Sequence, residues 1–107
     1  MSLYSEYILE RESYKCVEDD NSFFTYKKIG NSLYLRDMYI TPKKRRVGKA
    51  RAIVKIVERL ARELKCNKVL TTVDKTTNNW EINKVGILSA GFEILNEDDV
   101  IYFVKEI

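Results

Sequence analysis

The stretch YLRDMYITPKKRRVGKARAIVKIVERLARELK, Tyr34–Lys65, changes its hydrophobic period once, and the place where it changes decides the fold. Up to Ile40 the residues are aromatic and aliphatic, as in a strand, and Pro42 ends that run because it has no amide hydrogen to give a central ladder. Beyond it Val47, Ala50, Ile53, Val54, Val57, Leu60, Ala61 and Leu64 recur at three and four residues. Lys49, Arg51, Lys55, Glu58, Arg59 and Glu63 fill the opposite face, which marks the strongest helix of the chain.

Working outward, SYKCVED, FFTYKKI and LYLRDMYI read as strands, the last two as an antiparallel hairpin around the turn signal GNS. The opening MSLYSEYILERE fits a strand or a short helix equally well. NKVLTTVD returns to strand character after the long helix, and a crossover of that length requires a parallel pair with a right-handed connection. NNWEINKVGILSA reads as a second helix, with Thr77, Asn78 and Asn79 as candidate caps and Gly91 as its stop. GFEILNEDDVIYFVKEI closes the chain as two strands around NEDD. The expected fold is α/β: one domain over residues 1–107, a mixed sheet with a central parallel pair, and flanking helices.

Composition narrows the function. With 107 residues, 45% of them hydrophobic, the chain supports one core. Lys and Arg number 19 against 16 carboxylates, a net charge of +3, which is too small an excess to mark a nucleic-acid binder. The excess is local, however: between Lys43 and Arg51 stand six cations and no carboxylate. Cys16 and Cys66 lie far apart and there is no His, which excludes Cys/His zinc patterns and any imidazole acid or base. No run approaches the roughly 18 apolar residues of a membrane span, and the N-terminal stretch is too charged for a secretory leader, so a soluble, cytoplasmic protein is expected.

A strand that turns into a helix leaves the helix's first amides without partners, at the positive end of its dipole. Such an end suits a pyrophosphate. Gly48 and the small Ala50 let a ligand approach the backbone, while Arg45, Arg46 and Lys49 supply countercharge. A P-loop is excluded, because Lys43 stands where its first Gly belongs and Ala50 where its hydroxyl belongs. A dinucleotide fingerprint needs three glycines and finds one. A nuclear address, a nucleic-acid patch and a solvated helix start also fit PKKRRVGK taken alone.

The order of elements and the hexapeptide Arg45-Arg46-Val47-Gly48-Lys49-Ala50 together resemble the GNAT superfamily of acetyl-CoA-dependent N-acetyltransferases. Its signature there is Arg or Gln, two residues of any type, Gly, one of any type, then Gly or Ala. A helix ending in Gly91-Phe92 is a second shared feature, and the resemblance covers residues 33–107. It implies that the amides from Val47 to Ala50 hold the coenzyme A pyrophosphate, with Arg45, Arg46 and Lys49 around it. It implies also that the backbone of Met38 and Ile40 pairs with the pantetheine arm, between strands that splay to admit it. Acetyl transfer to a primary amine, on a small molecule or a protein, would follow without a metal. The family's usual Asn falls at Trp80, with Asn79 beside it as a cofactor contact. Its usual Tyr acid falls at Ile87, so Asp37 stands as candidate base and a hydroxyl such as Tyr39 or Tyr102 as candidate acid. The N-terminal part has little room for the family's two helices, and a homodimer would complete the acceptor side. The alternative is a non-catalytic protein of this fold that binds a protein or nucleic acid through the basic loop.

Overall fold

The N-terminal stretch that the pattern left open is a helix, α1 (Leu3–Glu12): Ser2 caps it by accepting a hydrogen bond from the Ser5 amide, and Ser13 ends it in the left-handed region. The computed structural model describes residues 2–45 and 48–107. After α1 come β1 (Lys15–Glu18), β2 (Ser22–Ile29), β3 (Ser32–Ile40), a 3₁₀ turn at Pro42–Lys44, α2 (Lys49–Glu63), β4 (Lys68–Asp74), α3 (Trp80–Ser89), β5 (Glu93–Glu97) and β6 (Val100–Glu106). Every expected strand is present, and the strand ended by Pro42 gives way to the 3₁₀ turn before α2 begins.

Among the described residues the strands form one mixed sheet in the order β1-β2-β3-β4-β6-β5. β3 and β4 are the expected parallel pair, and their neighbours run antiparallel. Leu33, Leu35, Val69, Ile101 and Phe103 on the sheet and Ile53, Val54, Val57 and Ala61 on α2 make the core, the same α2 residues that the sequence period selected. α3 packs Trp80, Ile87 and Ala90 against this cluster. Lys105 on β6 ties the two helices together, 3.2 Å from Glu58 of α2 and donating to the Ala90 carbonyl at 2.7 Å. No helix among the described residues is long and apolar enough to cross a membrane.

Two helix ends explain their sequences. The Gly91 amide bonds the Leu88 carbonyl and the Phe92 amide reaches back to Ile87, a Schellman closure in which Gly91 takes φ +97°. The Gly-Phe pair is therefore a helix stop, with the buried Phe92 covering the last turn. α2 ends the same way: Lys65 bonds Arg62 and Cys66 bonds Ala61, but the left-handed position, φ +64°, is held by Lys65.

Candidate active site

The site begins where β3 and β4 part. Their register runs from Ser32↔Lys68 to Leu35↔Thr71 and stops there, although β3 continues to Ile40 and β4 to Asp74. At this last rung the buried Thr71 hydroxyl donates to the Leu35 carbonyl at 2.8 Å, so a side chain closes the apex of the fork. Just beyond, Tyr34 Oη and Thr72 Oγ1 meet across the fork at 3.1 Å.

A bulge lies where the two strands part. β2 pairs Thr25 with Asp37 but Tyr26 with Leu35, which leaves Arg36 as the extra residue of β3. Arg36 is held by Glu12 at 2.6 Å and Asp37 at 3.0 Å, and its guanidinium lies 4.4 Å from the centre of the Tyr14 ring. Thr25, fully buried, donates to Asp37 Oδ2 at 2.9 Å and accepts from the Asp37 amide at 3.1 Å. The bend is thus fixed by α1, β2 and the Tyr14 ring together.

Past the bulge one edge of β3 is free of its parallel neighbour. The Thr41 amide bonds the Asn21 carbonyl on the β1–β2 side. Alternation then turns the backbone groups of Met38 and Ile40 toward the fork, which is the pair expected to meet pantetheine. The Ile40 carbonyl accepts from Arg45 Nε at 2.9 Å. A ligand arm carrying amides has the remaining groups of this edge to pair with.

The edge leads to the start of α2. Gly48 is its N-cap, at φ +84°, and accepts from the Ala52 amide at 3.1 Å. A Cβ on Gly48 would meet nothing within 4 Å, so the left-handed backbone, and not crowding within the chain, requires glycine there. The next amides, on Lys49, Ala50 and Arg51, have no partner within the helix. Lys49 Nζ forms an ion pair with Asp19 at 2.7 Å, and that hydrogen bond, with the Asn21 amide, holds the Asp19 carboxyl down at about 2. Arg46 and Val47 lie outside the described residues.

The remaining candidates are more dispersed. Asn79 takes φ +61° at the start of α3 and makes no side-chain cap, so it begins the helix through backbone conformation, unlike the side-chain capping expected of it. Trp80 packs against the core with Lys75 Nζ 5.4 Å from the centre of its ring, and Ile87 is also a packing residue. Tyr39 is half-exposed beside Phe23, with the Arg45 guanidinium 5.6 Å from its ring centre. Tyr102 is paired in register with Thr72, on the face that carries Tyr34. The sequence reading missed Thr71 and Thr72 at the fork. Their signal is a pair of adjacent hydroxyls between the aliphatic Val69, Leu70 and Val73 in the strand KVLTTVD.

These residues suit the coenzyme implied by the resemblance: an open strand edge for an amide-bearing arm, an uncrowded glycine, and helix-start amides beside cations. No protein-family model matches the sequence, and no curated protein matches it either. Solved structures do match in shape. PaiA N-acetyltransferase from Thermoplasma acidophilum, in complex with coenzyme A, superposes with a TM-score of 0.72 at 15% identity, over 81% of this chain and 54% of that one. The Bacillus subtilis acetyltransferase in complex with CoA gives 0.71 at 11% identity, over 97% and 82%. The GNAT domain of S. lividans PAT gives 0.68 at 18%, over 81% and 54%. The chain thus spans about half the length of the first and third of these. With an open fork between β3 and β4 and a glycine-capped helix beyond it, this chain has the fold of the GNAT acetyltransferases.

Proposed function

We propose that the protein is an acetyl-CoA-dependent N-acetyltransferase acting on a primary amine in a ternary complex. The observation that carries this is the free edge of β3 at Met38 and Ile40, which runs from the fork at Leu35 and Thr71 to the N-terminus of α2 at Gly48. Met38 and Ile40 would pair with the pantetheine amides, and the amides of Lys49 and Ala50 would meet the pyrophosphate, with Arg45, Arg46 and Lys49 nearby. Asn79, at the start of α3, stands beyond the end of β4 as a further contact.

Bound acetyl-CoA supplies an activated acetyl group, which moves when the amine nitrogen forms a bond to its carbonyl carbon and the C–S bond breaks. The chain must take a proton from the nitrogen and give one to the sulfur. Asp37 is the candidate base. Among the described residues its hydrogen bonds from Thr25 and Arg36 both fall on Oδ2, which leaves Oδ1 for an incoming ammonium. Tyr34, whose phenol meets the Thr72 hydroxyl across the fork at 3.1 Å, stands with Tyr39 and Tyr102 as a candidate acid. Tyr39 lies farther along β3, beyond Asp37.

Thermal melting with acetyl-CoA tests the binding half. At a hundred times its dissociation constant a ligand adds about 2.7 kcal/mol. Acetyl transfer to a panel of primary amines, lost in Asp37→Asn, tests the chemistry. A melting curve that neither acetyl-CoA nor coenzyme A moves refutes the proposal.

A further inference from the structure

A cavity of about 250 Å³ lies at the far end of α2, lined by Ser13, Lys15, Tyr26, Lys27, Lys28 and Leu64. α2 has 15 residues, and at about 1.5 Å of rise for each this end stands about 22 Å from the helix start that a coenzyme would meet. Lys15 on β1 is paired in register with Tyr26 on β2. Lys28 is fixed by donating to the Leu64 carbonyl at 2.6 Å, and Lys27 Nζ stands 5.5 Å from the centre of the Tyr14 ring.

Tyr26 separates this cavity from an ordinary lysine-rich surface. It is more than nine-tenths buried, with 8% exposed, yet its hydroxyl makes no hydrogen bond among the described residues. The hydroxyl is not sealed in the core, where among the described residues only Thr41 Oγ1 lacks a partner, so it opens on the cavity that the residue lines. Burial first, and the Glu63 carboxylate second, push the phenol up from 10.0, so it keeps its proton and stays a donor. The lysines are unneutralised as well. No ion pair among the described residues uses Lys15, Lys27 or Lys28, and Met1, Arg46 and Val47 carry no carboxylate side chain. Three ammonium groups against Glu63, the carboxylate that acts on the phenol, leave two positive charges in excess. Ammonium groups and a fixed hydroxyl donor are what an oxyanion pairs with.

We infer that this cavity binds a phosphomonoester dianion, with the Tyr26 hydroxyl donating to it and Lys15, Lys27 and Lys28 as countercharge. A dianion matches the excess of charge, and about 250 Å³ holds a phosphoryl group with a short organic stem. The site is separate from the fork and from the start of α2, and does not depend on coenzyme binding. A free metabolite and a phosphorylated side chain share this chemistry.

The test is an amide-resonance titration of the full chain, without coenzyme and at constant ionic strength, using ethyl phosphate, the monoanion ethyl sulfate and Nα-acetyl-phosphoserinamide. Ethyl phosphate is expected to shift Ser13, Lys15, Tyr26, Lys28 and Leu64 saturably, with a dissociation constant on the order of millimolar, as its few heavy atoms permit. Ethyl sulfate, with half the charge, is expected to bind at least about tenfold more weakly. Tighter binding of the phosphoserinamide assigns the group to a phosphorylated side chain, weaker binding to a free metabolite. Tyr26→Phe removes a hydroxyl that has no partner within the described chain, so it should melt as the parent does and yet weaken ethyl phosphate about tenfold. The double variant Lys15→Gln, Lys27→Gln should weaken it by a similar factor. The inference is overturned if no saturable shift occurs there, if ethyl sulfate binds as tightly as ethyl phosphate, or if either folded variant binds as tightly as the parent.

Discussion

Thr71 Oγ1 donates to the Leu35 carbonyl at 2.8 Å, and this bond sits on the last rung that β3 and β4 share. A threonine there lets the sheet open without leaving a buried carbonyl short of donors. Thr71→Val keeps the shape and removes the donor from a buried site. It should cost about 1–3 kcal/mol, read as a lower melting temperature. Thr72→Val, at a partly exposed position, should cost less.

Gly48 caps α2 at φ +84°, where any L side chain is strained but Asn and Asp are tolerated best. Gly48→Asn and Gly48→Asp should therefore share a backbone penalty of about 1–2 kcal/mol and both remain folded. Only the aspartate puts negative charge at the helix start, so acetyl-CoA should bind it at least about tenfold more weakly than the asparagine variant. Calorimetric titration of the two compares charge at constant strain.

Lys65 occupies the left-handed position of the α2 Schellman closure at φ +64°, where Gly91 does the same for α3. Lys65→Gly relieves the strain and loses some unfolded-state restriction, and should stabilise the protein by about 0.5–1 kcal/mol. Denaturant unfolding with an unchanged slope is the check.

Burial, with help from the neighbouring Glu18 carboxylate, pushes the Cys16 thiol up from 9.0 to about 11. The folded protein therefore holds this proton more tightly than the unfolded chain. The resulting stability is complete below about 9 and is lost as the pH rises through about 11. Alkylation of Cys16 at pH about 8 should be slower by about a hundredfold than in the unfolded chain, and Glu18→Gln should restore part of the rate.

The parallel pair and α2 were legible because each depends on a local period and a stop signal: Pro42 for β3, and the three-and-four spacing from Ile53 to Leu64 for α2. α1 was ambiguous because it buries little, chiefly Ser5 and Ile8, so its pattern carries a weak imprint of the core. The bulge at Arg36 was not legible, since it arises from the register against β2 and from Glu12, Thr25 and Tyr14, which contact it from elsewhere in the chain. The glycine-capped helix start was found through Gly48, although its role proved to be backbone conformation, with space for a ligand as a consequence.

The central claim is that the free edge of β3 and the first turn of α2 together hold acetyl-CoA. Amide-resonance mapping during an acetyl-CoA titration tests it most directly. The account predicts saturable shifts that concentrate on Met38, Tyr39 and Ile40 and on Gly48, Lys49, Ala50 and Arg51. The absence of saturable shifts, or shifts confined to residues away from both segments, would contradict it.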